Sequence, residues 1–276
     1  MLIPIHNIKH IYNHIVKTAQ EFDGQGCTIY ILVSNDTDSL SGLKILTTIL
    51  KSDEVQFVVI PTFSNNHLSA QLNKLQGSKF LRSLIFINCG GHLDLSAKWF
   101  YKTEEADIKS YLIDSHRPYN HKNVNDDSQK ILIIHDGCKS FEECPTAEDD
   151  RIYHEIVQNE ESQDSDDYDS EENNSDEEEA AQELEELREE GEADQIPTGV
   201  QPKPPNMKRL KRQKYIKFQN YYRGSFFGRS ASSIFYQLSA QMNRGSRDLL
   251  WLWIIGISDY IVHSKMADLE INEEIA

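Results

Sequence analysis

The stretch Thr28–Leu40, TIYILVSNDTDSL, decides the fold. Thr28–Val33 is an unbroken β-branched and aromatic run of the kind that forms a strand covered on both faces. The chain then passes through Ser34, Asn35, Asp36, Thr37 and Asp38 into a helical pattern with Leu40, Leu43, Ile45, Leu46, Ile49 and Leu50 on one broad apolar side. Asp36 and Asp38 therefore stand where a strand hands over to a helix, which is where ligands bind in open α/β sheets.

Working outward, the same alternation recurs. A one-sided helical spacing over His6–Phe22 precedes the first strand, and Gly24 and Gly26 close it. Further strands are predicted at Val55–Ile60, Leu84–Ile87, Tyr111–Ile113 and Ile131–Ile134, with a helix through Leu68, Leu72 and Leu75 that Gly77 stops. Apolar strands separated by helix-length connections predict a doubly wound parallel α/β sheet. Its carboxyl edge would collect Asp36, Asp38, Asn88, Asp114 and His116.

Charge divides the chain more sharply than length does. Of the 276 residues and the formal charge of −17, roughly 25 acidic side chains and only two arginines lie between Glu142 and Asp194. That segment carries about −23 and the remainder about +6, so the globular parts are mildly basic. Ser162–Glu179 is almost wholly Ser, Asp, Glu and Asn, and cannot bury enough apolar surface to offset the roughly 1–2 kcal/mol per residue of backbone ordering. The composition predicts an α/β domain at 1–141, a mostly disordered acidic insertion at 142–205 and a basic and apolar helical subdomain at 206–276. Within the insertion, Glu177–Glu192 has helix-forming composition, and Ser175 before four acidic residues has the pattern of an acid-directed kinase site. The insertion reads as a spacer, a screen for the basic block or a docking peptide.

Cys27, Cys89, Cys138 and Cys144 form no CxxC pair and have no histidine at zinc spacing, so neither a disulfide framework nor a zinc site is expected. Leu249–Ile257 is too short to cross a bilayer and the N-terminus lacks a signal-peptide core, so a soluble intracellular protein is expected. Leu249–Ile261 is apolar nearly all round and predicts a buried helix, with Trp251 and Trp253 in a core or interface.

Two sets of residues carry candidate chemistry. Asp36 and Asp38, joined by Asp114 and His116, suit Mn²⁺ or Mg²⁺; capping of the following helix by either aspartate is the simpler account. Tyr215, Phe218, Tyr221, Tyr222, Phe226 and Phe227, interleaved with lysines and arginines, either stack bases of single-stranded nucleic acid or form a core-facing stripe. Cys89 is read as a space-filling residue, and His135 and Asp136 as a strand end.

The order SNDTDSL (Ser34–Leu40), INCGG (Ile87–Gly91), IDSHRP (Ile113–Pro118), an acidic insertion and LLWLWIIGISDYIV (Leu249–Val262) resembles the cell division cycle protein 45 family. These are eukaryotic replication factors similar to the DHH phosphoesterases, which include RecJ-type exonucleases. Carried over from the active enzymes, Asp36, Asp38, Asp114 and His116 match ligand positions of a two-Mn²⁺ centre. Leu32, Asn88 and Ser115 replace a histidine, an aspartate and a histidine, so the resemblance implies a dismantled metal site and no cofactor. It implies a non-catalytic, nuclear scaffold of the replicative helicase that bridges the minichromosome maintenance hexamer and the GINS complex. Single-stranded DNA is a further partner, with Lys211, Arg212, Lys214, Arg223 and Arg229 as its contacts, and no membrane is involved. The alternative is a Mn²⁺-dependent phosphoesterase acting on single-stranded DNA or a small phosphodiester. A chaperone of basic proteins built on the acidic run is a third reading. Family members continue into a second α/β domain, and on that comparison the chain reads as a fragment, an incomplete gene product or a reduced paralogue.

Overall fold

Every apolar run that predicts a strand forms one, and each is a few residues from its expected bounds. A computed structural model describes residues 1–22, 24, 26–98, 108–137, 141–163 and 207–267. The strands are β1 (Leu2–Pro4), β2 (Ile29–Val33), β3 (Phe57–Pro61), β4 (Ser83–Ile87), β5 (Lys109–Ile113), β6 (His116–Arg117), β7 (Ile131–His135) and β8 (Phe226–Phe227). The helices are α1 (Ile8–Gln20), α2 (Thr37–Ser52), α3 (Asn65–Leu75), α4 (Leu95–Lys98), α5 (His121–Val124), α6 (Ala147–Gln163), α7 (Met207–Tyr222), α8 (Ala231–Gln241) and α9 (Arg247–Val262).

Six strands pair in parallel in the order β1-β7-β5-β4-β2-β3, and β6 and β8 make a separate antiparallel pair. The sixth strand of the sheet, β1, was not predicted. It is three residues long, too short for a periodic signal, and it is specified by its partner: Leu2 pairs with Ile133 and Pro4 with His135. Pro61 ends β3 at the other edge of the sheet, where a missing N–H is tolerated.

Period-two alternation sorts the side chains into two cores. Ile29, Ile31 and Val33 of β2 and Ile85 and Ile87 of β4 pack with Tyr12 of α1, Ile45 and Ile49 of α2, Phe235 of α8 and Leu249 of α9. Leu32, Leu84, Phe86, Leu112 and Ile133 pack on the opposite face with Leu68 and Leu72 of α3, Tyr119 and Phe141. The sheet is thus covered on both sides, as a parallel sheet requires.

Two compact units divide the chain. The first is Met1–Ala147 with Phe218–Ala276, and the second is Glu148–Lys217. Helices α8 and α9 belong to the unit that contains the sheet. Glycines permit their close approach: a Cβ on Gly42 of α2 would lie 3.2 Å from the Ala231 backbone, and one on Gly256 of α9 would lie 2.5 Å from Ser232 Cβ.

The expectation of an all-round buried α9 is corrected. Leu249, Gly256, Ile257 and Tyr260 face inward, whereas Trp251, Ile254, Ile261 and Val262 are exposed. Apolar content alone does not orient a helix; the glycine that lets one side approach Ser232 does. Trp253 takes the packed position, stacked on Tyr236 with ring centroids 5.1 Å apart and donating from Nε1 to Ser233 Oγ at 2.8 Å.

Helix α6 shows that regular structure reaches further into the acidic stretch than composition predicts. The rest of that stretch, including Ser175 and Glu177–Glu192, lies outside the described residues, as does Cys138. No helix among the described residues is long and apolar enough to cross a membrane.

Candidate functional site

The carboxyl ends of β2, β4 and β5 bring together the residues expected there, and each has a specific hydrogen-bonding task. Asp36 is the N-cap of α2. Its carboxylate accepts from the Ser39 backbone N–H at 2.8 Å and from the Ser39 hydroxyl. Burial pushes the Asp36 carboxyl up, but the donors from Ser39 and Ser34 outweigh it and leave the group below the usual range.

Asp38, two residues further on in the first turn of α2, is fully buried. Its Oδ2 accepts from Asn88 Nδ2 at 2.8 Å and from the Ala231 backbone N–H at 2.8 Å, and its Oδ1 accepts from the Ser232 N–H at 2.9 Å. Ala231 and Ser232 are the first residues of α8, so this carboxylate receives two of the N–H groups that a helix start leaves without intrahelical partners. Burial raises the Asp38 pKa, with Ser232, Asn88 and Ala231 pulling the other way.

Asn88 joins this helix start to β5. Its amide N–H donates to Asp38, and its carbonyl oxygen accepts from the Ser115 backbone N–H at 3.0 Å. A carboxylate at 88 could make the second bond but not the first, and would set two buried anions against one another. Asn88 takes a left-handed backbone, φ 48°, where asparagine is among the better-tolerated side chains. Leu32 points into the opposite core, away from these groups.

Asp114 accepts from the Gly91 N–H at 2.9 Å and from the His116 N–H at 3.0 Å, and pairs with His116 Nδ1 at 2.7 Å. A Cβ on Gly91 would come within 2.9 Å of Asp114 Oδ2, so the glycine lets the backbone reach the carboxylate. Burial pushes Asp114 up, but the His116 hydrogen bond and charge win and hold it low; the same pairing raises His116 against burial. Beside them the phenol of buried Tyr260 is pushed up by burial first and then by the Asp38 charge. Burial likewise raises the Cys89 thiol to about 12.

The signs define a pH window. The depressed Asp114 stabilises the fold above the ordinary carboxylate range and loses this as pH falls through its folded value. The raised His116 stabilises below about 6.5 and loses this as pH rises through its folded value. Asp38, shifted upward, partly offsets the acid-side loss. The His116 imidazole is expected to titrate above about 6.5 by NMR, and a midpoint at or below that value would contradict the charged pair.

The sequence reading missed what surrounds this edge. Arg117 is almost wholly buried, and its Nη2 meets Asp136 Oδ2 at 2.6 Å while its Nη1 donates to the Asp114 carbonyl oxygen at 2.5 Å. Its guanidinium lies 4.5 Å from the Tyr119 ring centroid and 5.0 Å from that of Phe141. Asp136 also accepts from the Arg229 backbone N–H at 3.0 Å. The sequence reads Asp136 as a mere strand end; an arginine four residues past β5 and an aspartate directly after β7 are the available signal.

The chain matches the CDC45 family over residues 29–275. It is a member of that family. The Cell division control protein 45 homolog of Schizosaccharomyces pombe is 32% identical over 256 residues, covering 90% of this chain and 39% of that protein. The Homo sapiens homolog is 27% identical over 253 residues, covering 89% and 39%. The crystal structure of CDC45 from Entamoeba histolytica superposes with a TM-score of 0.59 at 18% identity, covering 100% of this chain and 37% of that one, and so shares the fold. The chain therefore spans about two fifths of the length of the CDC45 relatives it matches.

The basic residues expected to contact DNA fall into separate groups. In the second unit, Lys211 pairs with Glu155 and Lys214 with Glu148, each at 2.7 Å, and Arg212 shares their helix. In the first, Arg223 is exposed and Arg229 donates from Nη1 to Gln237 at 3.3 Å. Of the interleaved aromatics, Phe218 is buried and half-buried Tyr221 donates to the Tyr119 carbonyl at 2.9 Å, which makes these two core-facing, whereas Tyr222 is exposed although its hydroxyl accepts from the His121 N–H at 3.0 Å. Phe226 remains exposed.

Proposed function

We propose that this CDC45-family chain acts in DNA replication in the nucleus, as a non-catalytic scaffold module of the replicative helicase. Its partners in this reading are the minichromosome maintenance hexamer and the GINS complex, which it bridges, with single-stranded DNA as a further contact. The observation that carries the non-catalytic part is the use made of Asp38. Both of its oxygens accept N–H donors, two from the start of α8 and one from Asn88. A carboxylate committed to a helix start is poorly placed to bind a divalent ion as well. With neutral Asn88 and Ser115 and with Leu32 turned away, the residues present do not fit a two-Mn²⁺ centre, which needs several anionic ligands to offset two close cations.

Calorimetric titration of the chain with Mn²⁺ is expected to give no saturable heat at micromolar concentrations. Tight binding of two ions would overturn the scaffold reading in favour of a Mn²⁺-dependent phosphoesterase. Capture of purified minichromosome maintenance hexamer and GINS complex by the immobilised chain tests the partner assignment directly, and retention of neither would remove it.

A further inference from the structure

The second unit pairs a basic helix with an acidic one. Lys211, Lys214 and Lys217 recur every third residue along α7, and each faces a carboxylate of α6. Lys211 Nζ lies 2.7 Å from Glu155, Lys214 Nζ 2.7 Å from Glu148, and Lys217 Nζ 3.3 Å from Asp149. Between the helices runs a groove of about 200 Å³ that also includes Arg151, Ile152 and Leu210. Tyr153 of α6 stacks on Tyr215 of α7, with ring centroids 5.3 Å apart and planes 18° from parallel. The lysines and Tyr215 together have the chemistry of a single-strand surface, cations for phosphates and an aromatic face for a base. Here α6 occupies both: carboxylates take the phosphate role and Tyr153 takes that of the base.

We propose that α6 is an intramolecular mimic of single-stranded nucleic acid that covers the lysine row of α7 and must be displaced before a strand can bind there. This rests on the reading that counts single-stranded DNA among the partners. The mimic is exchangeable because Glu148 and Glu155 keep about half of their side-chain surface in solvent, and ion pairs that exposed hold weakly and are screened by salt. Lys211 holds the Glu155 carboxyl below its usual range, so it remains charged at neutral pH.

The test measures binding of a fluorescein-labelled oligothymidylate to the full chain by anisotropy. At about 50 mM salt E148Q/E155Q is expected to bind at least about threefold more tightly than the unaltered chain, with a salt slope steeper by about 1.4 for two lysines freed to meet phosphates. Adding K211Q/K214Q should abolish the gain, and the charge-matched E142Q/E143Q, at two exposed positions outside α6, should show none. A gain that survives loss of the lysines, or that E142Q/E143Q reproduces, overturns the mimic. Equal gains for a labelled oligoglutamate peptide overturn the assignment to nucleic acid. If the unaltered chain binds and E148Q/E155Q changes nothing, the mimic alone is lost. No binding by any variant removes both the mimic and the single-stranded DNA reading.

Discussion

Asp38→Ala is expected to destabilise the protein by about 3–5 kcal/mol, because it leaves three buried donors without an acceptor at once. Two of these are the Ala231 and Ser232 N–H groups, and the third is the Asn88 amide. Losing a helix cap alone costs about 0.5–2 kcal/mol, and each stranded buried donor about 1–3, with partial overlap between the two. The isosteric Asp38→Asn is expected to cost about 2–3 kcal/mol despite its matching shape, since all three partners donate and an Asn NH₂ must point at one of them. Urea unfolding of both variants checks this. Trp253 fluorescence provides a local reading, because its indole N–H bonds to Ser233 in the first turn of α8. A loss below about 1 kcal/mol for both variants would show that the carboxylate is not what holds α8.

The second large effect is expected at Arg117 and Asp136. Both side chains are almost wholly out of water, so Asp136→Ala leaves a buried guanidinium without its carboxylate and Arg117→Met leaves the reverse. Each single change is expected to cost about 3–5 kcal/mol. The double variant should cost about 2–3 kcal/mol less than the sum, because the desolvation of each charge is relieved when its partner goes. It should still be less stable than the parent, since Arg117 also donates to the Asp114 carbonyl and Asp136 also receives the Arg229 N–H. Denaturant unfolding of the four proteins closes the cycle, and strict additivity would show that the two charges do not depend on each other. Gly228 is part of the same arrangement: its N–H bonds to the Ser115 carbonyl at 2.7 Å, and a Cβ there would lie 2.5 Å from Asp136 Oδ2. The antiparallel β6–β8 pair thus presses against the buried ions.

Beside Leu32, Asn88 and Ser115, the expected metal ligands Asp36, Asp38, Asp114 and His116 all have partners within the protein. Asp36 caps α2, Asp38 holds α8, and Asp114 binds the Gly91 backbone and His116. Each carboxylate has a structural partner, so its presence does not require a metal. Helix capping was legible as one account of the Asp36–Asp38 pair, and for Asp36 it was right about the helix. For Asp38 it named the wrong one: the capped helix begins 193 residues further along the chain.

The sequence by itself determined the central strands, the two-sided cover of the sheet, the carboxyl edge and family membership. Each of these is written in local signals: apolar runs of strand length, period-two alternation sorting Ile31 from Leu32, and short motifs such as IDSHRP. The tertiary structure alone decided the uses to which those residues are put. Strand β1 exists only because β7 pairs with it, and α9 turns Trp251 outward because Gly256 brings its other side onto Ser232. Asp38 serves α8, and Arg117 is neutralised by Asp136. The physical reason is the same in each case. Strand and helix formation follow from side chains a few residues apart, whereas the partner of a buried charge or of a helix's unpaired N–H is set by which distant segment arrives beside it.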